Sequence, residues 1–171
     1  HHMYLRGPII DHWPTHTQKE MIGGSEFDQK HVKQNLKNFL ARAYRRPPTD
    51  EQIQSLYQIY NHRESKGIDS WQAYKDSLKA ALCSPNFIYL QEPMDPKSKK
   101  LDSYAIASRL SYFLWSSLPD RELFDLADSG KLNNPTILSR QVVRMLHDPK
   151  SDRFVKGFLD AWLTLDNLGT T

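Results

Sequence analysis

Ala105-Ile-Ala-Ser-Arg-Leu-Ser-Tyr-Phe-Leu-Trp-Ser-Ser-Leu-Pro-Asp-Arg-Glu-Leu-Phe-Asp-Leu-Ala127 is the stretch that decides the fold class. Ala105, Ile106, Ala107, Leu110, Phe113, Leu114 and Trp115 recur at helical spacing and cover more than one face. That pattern predicts a helix central to its module, beginning near Asp102 or Ser103. Leu118-Pro119 then joins it to a second helix. Proline suits the first position of a helix. Asp120 and Glu122 would follow in its first turn, where negative charge complements the helix dipole.

The same grammar continues toward the C-terminus. Gly130 ends the second helix, and Asn134-Pro135 caps a third with the stripe Leu138, Val142, Met145 and Leu146. Asp148-Pro149 and Ser151 open a fourth, with Phe154, Phe158, Ala161, Trp162 and Leu165 predicted inward. Toward the N-terminus, Glu92 to Lys100 holds two prolines, three lysines and little that is apolar, which reads as a linker. Before it come three more helices. Val32, Leu36, Phe39, Leu40 and Ala43 stripe the first, which Arg45-Arg46-Pro47-Pro48 ends. Thr49 and Gln52 form a capping box for the second, with Ile53, Leu56, Tyr57 and Tyr60 inward and Gly67 as its stop. Asp69 and Gln72 open the third, with Trp71, Tyr74, Leu78, Ala81 and Leu82 inward. Phe87 to Leu90 reads as a last helical turn after Ser84-Pro85.

Residues 4–27 show no helical period, and Gly7-Pro8, Trp13-Pro14 and Gly23-Gly24 punctuate them. They read as an extended arm packed through Ile9, Ile10 and Trp13. His1-His2-Met3 reads as a tag remnant. The expected architecture is therefore all-α: a bundle of about seven helices in two packed modules, with an extended N-terminal arm. The expected divisions are 1–27 (tag remnant and arm), 28–92 (three helices), 93–101 (linker) and 102–171 (four helices).

Composition narrows the function classes. Lys and Arg total 23 against 20 Asp and Glu, a net charge of +3, too small to argue nucleic-acid binding alone. No apolar run approaches the eighteen or so residues of a membrane span. The single cysteine, Cys83, excludes an internal disulfide. No C-x-x-C-H haem motif, zinc motif, phosphate loop or G-x-S-x-G elbow is present.

Two longer stretches carry a family resemblance. Phe39-Leu-Ala-Arg-Ala-Tyr-Arg-Arg-Pro47 and Leu78-Lys-Ala-Ala-Leu-Cys-Ser-Pro-Asn-Phe-Ile-Tyr89 resemble the helical domain of unknown function numbered 1595. Ser108-Arg-Leu-Ser-Tyr-Phe-Leu-Trp-Ser-Ser-Leu-Pro-Asp120, Arg144-Met-Leu-His-Asp-Pro149 and Ala161-Trp-Leu-Thr-Leu165 resemble the one numbered 1592. The resemblance spans roughly residues 30–168. It implies a planctomycete-specific tandem within a large exported protein, periplasmic or at the cell surface, whose signal peptide lies outside this chain. It further implies an upstream cytochrome-c-like domain, and in some proteins a carbohydrate-binding β-sandwich. Haem c would then belong to the full-length parent, with no cofactor in this chain. The partners implied are the other domains of the same polypeptide, with carbohydrate as a further one. The second resemblance is expected to stop partway through its family's length.

Candidate sites are few. Arg42, Arg45 and Arg46 cluster at the end of the first helix, where positive charge complements its free carbonyls. Asp50, Glu51 or Asp120 would pair with one of them. Arg109 lies in the most apolar helix and, if buried, needs an acid such as Asp120 or Asp125. A structural ion pair is favoured there over a catalytic one, since no nucleophile accompanies it. His12, Trp13 and His16 form a candidate surface contact. The histidines are metal-ligand types, but Pro14 breaks the i,i+4 geometry and further ligands are missing. His31, His62 and His147 stand alone. No catalytic, cofactor or metal residue is assigned. The favoured function is a non-catalytic structural or interaction module. The alternatives are a fragment of an enzyme acting on extracellular polysaccharide or in haem-linked redox chemistry, and a weak nucleic-acid or polyanion binder using Arg42, Arg45, Arg46, Lys97, Lys99 and Lys100.

Overall fold

The computed structural model describes residues 14–90, 92–94 and 100–163. It is all-α. Among the described residues the only β feature is a single bridge between Met94 and Leu101. The chain forms two compact units, one of residues 1–43 and 47–84, the other of residues 44–46 and 85–171.

The first unit contains α1 (His16–Ile22), α2 (Val32–Ala43), α3 (Asp50–Ser65) and α4 (Ser70–Leu82). Leu36, Leu40, Ile53, Leu56, Tyr60, Ala73, Tyr74 and Ala81 fill its core. The α3 start follows the predicted chemistry: Thr49 and Gln52 exchange both bonds of a capping box. Gly67 then turns the chain at φ +78°.

α1 replaces part of the expected arm. The Thr15 side chain and Gln18 make a complete capping box, and Gly23 closes the helix in the left-handed region at φ +74°. Seven residues are too few to display a period, so the capping pair is the only sequence signal. The helix is held from outside. Asn35 Nδ2 donates to the Ile22 carbonyl at 2.7 Å and Tyr74 Oη to the Met21 carbonyl at 2.6 Å. The predicted contacts of Ile9, Ile10 and Trp13 lie outside the described residues.

The second unit contains α5 (Pro85–Ile88), α6 (Ser103–Trp115), α7 (Arg121–Asp128), α8 (Pro135–Leu146) and α9 (Asp152–Leu163). Asp102 caps α6 and Asn134 caps α8, with Pro135 at the first position. α6 packs on α7, α8 and α9. Its Ala107, Leu114 and Trp115 join Leu123, Ala127, Leu132 and Met145 in one core. α6 is thus central to its unit, as its sequence predicts. Asp120, rather than Pro119, sets the start of α7. Its side chain accepts from the Leu123 N–H at 3.0 Å, so Asp120 is the cap and Pro119 precedes it.

Several predicted core residues are exposed. Trp71, Leu82 and Leu146 reach the surface of their units, as do Phe113, Phe158 and Trp162. The amphipathic stripes of these helices are wider than the neighbours that cover them among the described residues.

Candidate functional site

The arginines predicted to share a patch are used separately. Arg42, in the last turn of α2, pairs with Glu20 of α1 in the first unit. Arg45 and Arg46 group with the second unit. Arg45 adopts φ +60° and is buried. One guanidinium nitrogen donates to the carbonyls of Asn86, Phe87 and Tyr89 at 3.0, 3.0 and 2.9 Å. It thereby satisfies free carbonyls at and just beyond the end of α5, not those of the helix that precedes it in sequence. Arg46 forks onto Asp102 at 3.1 and 3.4 Å, and its guanidinium lies 5.8 Å from the centroid of Tyr104. None of the three meets Asp50, Glu51 or Asp120 as expected.

Arg109 also chooses otherwise. It is exposed and pairs with Glu92, with Nη2 to Oε2 at 2.6 Å. The Arg109 hydrogen bond holds the Glu92 carboxyl below its ordinary range. The expected partner, Asp120, is engaged by Arg144 through two nitrogens at 2.7 and 3.2 Å. Arg109 faces outward on the same side of α6 as the exposed Phe113 four residues on, so its charge needs no buried acid.

His12 and Trp13 lie outside the described residues. His16 is the first residue of α1, strongly exposed, with Nδ1 3.9 Å from Glu20. Among the described residues no three His, Cys, Asp or Glu side chains are grouped to hold a metal ion.

The densest polar arrangement is one that the sequence does not assemble. It surrounds Trp115, which is fully buried. The indole Nε1 donates to the Met145 carbonyl at 2.9 Å, and Arg153 donates to the Trp115 carbonyl at 3.1 Å. Lys150 Nζ lies 3.8 Å from the Trp115 ring centroid and the Arg144 guanidinium 5.5 Å. Cations over an indole face are attracted by its quadrupole. Arg144 also donates to Gln141 at 2.7 Å and approaches Glu122 at 3.4 Å, while Gln141 donates to Glu122 at 2.7 Å. Partial burial pushes the Asp120 carboxyl up. Arg144 and the Leu123 N–H outweigh that and hold it below its ordinary value. A carboxylate so filled with donors is a structural anion and a poor proton shuttle at neutral pH. Trp115, Asp120, Arg144 and Met145 each lie inside the family motifs, but nothing in the sequence pairs them. Their meeting depends on a 30-residue separation between Trp115 and Met145 that no local pattern reports.

Residues 31–92 match a family described as Protein of unknown function (DUF1595), and residues 101–171 one described as Protein of unknown function (DUF1592). Each segment is similar to its family, and the two matches stand in tandem. No curated protein and no solved structure matches the chain. The Trp115 arrangement lies within the DUF1592 segment. The compact units do not follow the family limits: residues 44–46 and 85–92 fall inside the DUF1595 match yet group with the second unit. No helix among the described residues is long and apolar enough to cross a membrane.

Beside the polar network, the DUF1592 segment also presents apolar surface. α6 and α8 border an open groove of about 590 Å³ to which Ile106, Leu110, Phe113, Leu138 and Val142 contribute.

Proposed function

We propose that this chain is a helical structural and interaction module without catalytic activity of its own. It serves a large exported protein that carries a cytochrome-c-like domain. The observation that carries the reading is the use made of the charged residues. Arg45, Arg46, Arg144 and Asp120 each fasten one helix end or loop to another, and Trp115 is held by Arg144, Lys150 and the Met145 carbonyl. Groups bound this way serve rigidity, while the open groove and exposed rings beside α6 leave apolar surface for contact with other domains. The exported, haem-bearing context comes from the family resemblance.

The experiment uses the full-length parent purified from its native host. A Soret band with a covalent haem mass is expected. Excision of the segment equivalent to residues 31–163 should leave that band in place while flanking domains become sensitive to limited proteolysis. A parent without haem would remove the cytochrome context. Unchanged protease resistance after excision would remove the scaffold role.

A further inference from the structure

We propose that residues 85–90 are a strap along one wall of the α6–α8 groove, and that Arg45 is the latch that holds it. This deepens the interaction-module reading, which assigns the groove to contact. Two unusual features meet in Arg45. Its side chain is buried, and its backbone sits at φ +60°, a region that residues other than glycine rarely adopt. Its Nη2 carries two hydrogens and faces three carbonyl oxygens, those of Asn86, Phe87 and Tyr89, at 2.9 to 3.0 Å, so at least one bond is shared. These partners are main-chain dipoles rather than a carboxylate. The other terminal nitrogen lies 3.5 Å from the Tyr112 hydroxyl.

Side-chain burial does little to hold the strap. Ile88 is 60% exposed, Tyr89 66% and Leu90 49%. α5 is a single turn of four residues, closed by the Tyr89 N–H donating to the Pro85 carbonyl at 3.0 Å. A turn of that length has no stability of its own. Its carbonyls converge instead on one guanidinium. Strap and latch both reach the groove, since Leu90 and Tyr112 line it together with Leu110 and Val142. With Arg45 engaged, Leu90 follows directly on a fixed carbonyl. The groove wall thus takes its form from a residue outside its lining.

The forces on Arg45 oppose one another, which makes the closed state releasable. Hydrogen bonds from a charged donor are stronger than neutral ones. Against them stand the desolvation of the guanidinium and the left-handed backbone. On release the guanidinium regains water, the backbone returns to an ordinary region, and water solvates the carbonyls of an exposed strap. Opening is therefore local and does not require the core around Trp115 to unfold. Linkage runs both ways. Drawing Tyr44–Arg46 out of the left-handed conformation frees the strap, and fixing Leu90 favours the closed latch.

The test is amide hydrogen exchange on the whole 171-residue chain, read at Tyr89 for the strap and at Trp115 for the core. Arg45→Gly keeps the positive φ without strain and removes the guanidinium. Exchange at Tyr89 should rise at least about tenfold, as loss of charged hydrogen bonds implies, with Trp115 unchanged. Guanidinium chloride below denaturing concentration should restore protection in this variant, and potassium chloride should not. Methyl resonances of Leu90, Leu110 and Val142 should shift and return in step. Unchanged exchange at Tyr89 overturns the proposal. So does equal acceleration at Tyr89 and Trp115, or an acceleration that guanidinium does not reverse. If Arg45→Gly does not fold, Arg45→Lys decides the matter. Its ammonium ends one atom short of Nη2, so Tyr89 should exchange at least about threefold faster with Trp115 unchanged, and no change there overturns the latch. A strap that stays closed in these variants leaves the module's role in protease resistance standing and removes only the latch.

Discussion

In the first unit the buried polar groups are neutral. Asn35, Ser77 and the Tyr74 hydroxyl each donate to a main-chain carbonyl, and burial pushes the Tyr74 hydroxyl up so that it stays a donor. In the second unit the largest buried side chain, Trp115, lies under Arg144 and Lys150, and Asp120 anchors Arg144 in turn. Neutral bonds of the first kind are indifferent to salt and mild acid. Ionic contacts of the second kind respond to both. The contrast concerns only the groups around the largest buried rings, since the first unit holds its own ion cluster, Arg63 and Lys79 on Asp76.

The largest effect should come from emptying the second core. Trp115→Ala is expected to cost about 3–5 kcal/mol through lost burial and the cavity left behind. Urea unfolding followed by circular dichroism measures it. A loss below about 1 kcal/mol, well under the ordinary range for a buried aromatic, would mean the ring is not the centre of that unit.

Gly23→Ala tests the first unit. The added Cβ would sit 2.3 Å from Asn35 Oδ1 at a positive φ, so the Asn35–Ile22 bond or the turn must yield. A cost of about 2 kcal/mol is expected. Retention of wild-type stability would show that α1 contributes little to the unit.

Asp120→Asn separates the ionic part of the second unit from its capping part, because asparagine caps a helix as well as aspartate does. About 1 kcal/mol should be lost at neutral pH, allowing for partial solvent screening of the pair. The Asp120 carboxyl titrates below its ordinary 3.8 in the folded chain. Its contribution is therefore complete above the unfolded value and fades as pH falls through the lower, folded one. The wild type and Asp120→Asn should converge in stability as acid is added. Parallel profiles would break the contrast between the units.

The smallest effect is expected for Arg109→Ala. Its pair with Glu92 is solvent-exposed and should leave the melting temperature unchanged within error. A clear drop would transfer Arg109 to the set of structural ions.

The residues that announce helices do so through end chemistry and stripes. Thr49 with Gln52, Asp102, and Asn134 with Pro135 are legible because each acts within three residues of itself. α1 escapes a periodicity reading since its stripe is one turn long and two glycines follow it. Exposure of Phe158 and Trp162 escapes it because periodicity reports which face is apolar and not whether a neighbour covers it. The charged pairings fail for a similar reason. Arg45 to Tyr89 spans 44 residues and Arg144 to Asp120 spans 24. Charge complementarity names candidate partners, and only the fold selects among them.

Arg45 carries a practical lesson about dissecting the gene. The second unit borrows Tyr44, Arg45 and Arg46 from a stretch that lies between two helices of the first. A recombinant fragment trimmed to the DUF1592 match alone would discard the guanidinium that holds the Asn86, Phe87 and Tyr89 carbonyls, along with those carbonyls. It would also strand Asp102 without Arg46. The second unit therefore cannot be cut at the family limit without losing Arg45 and Arg46.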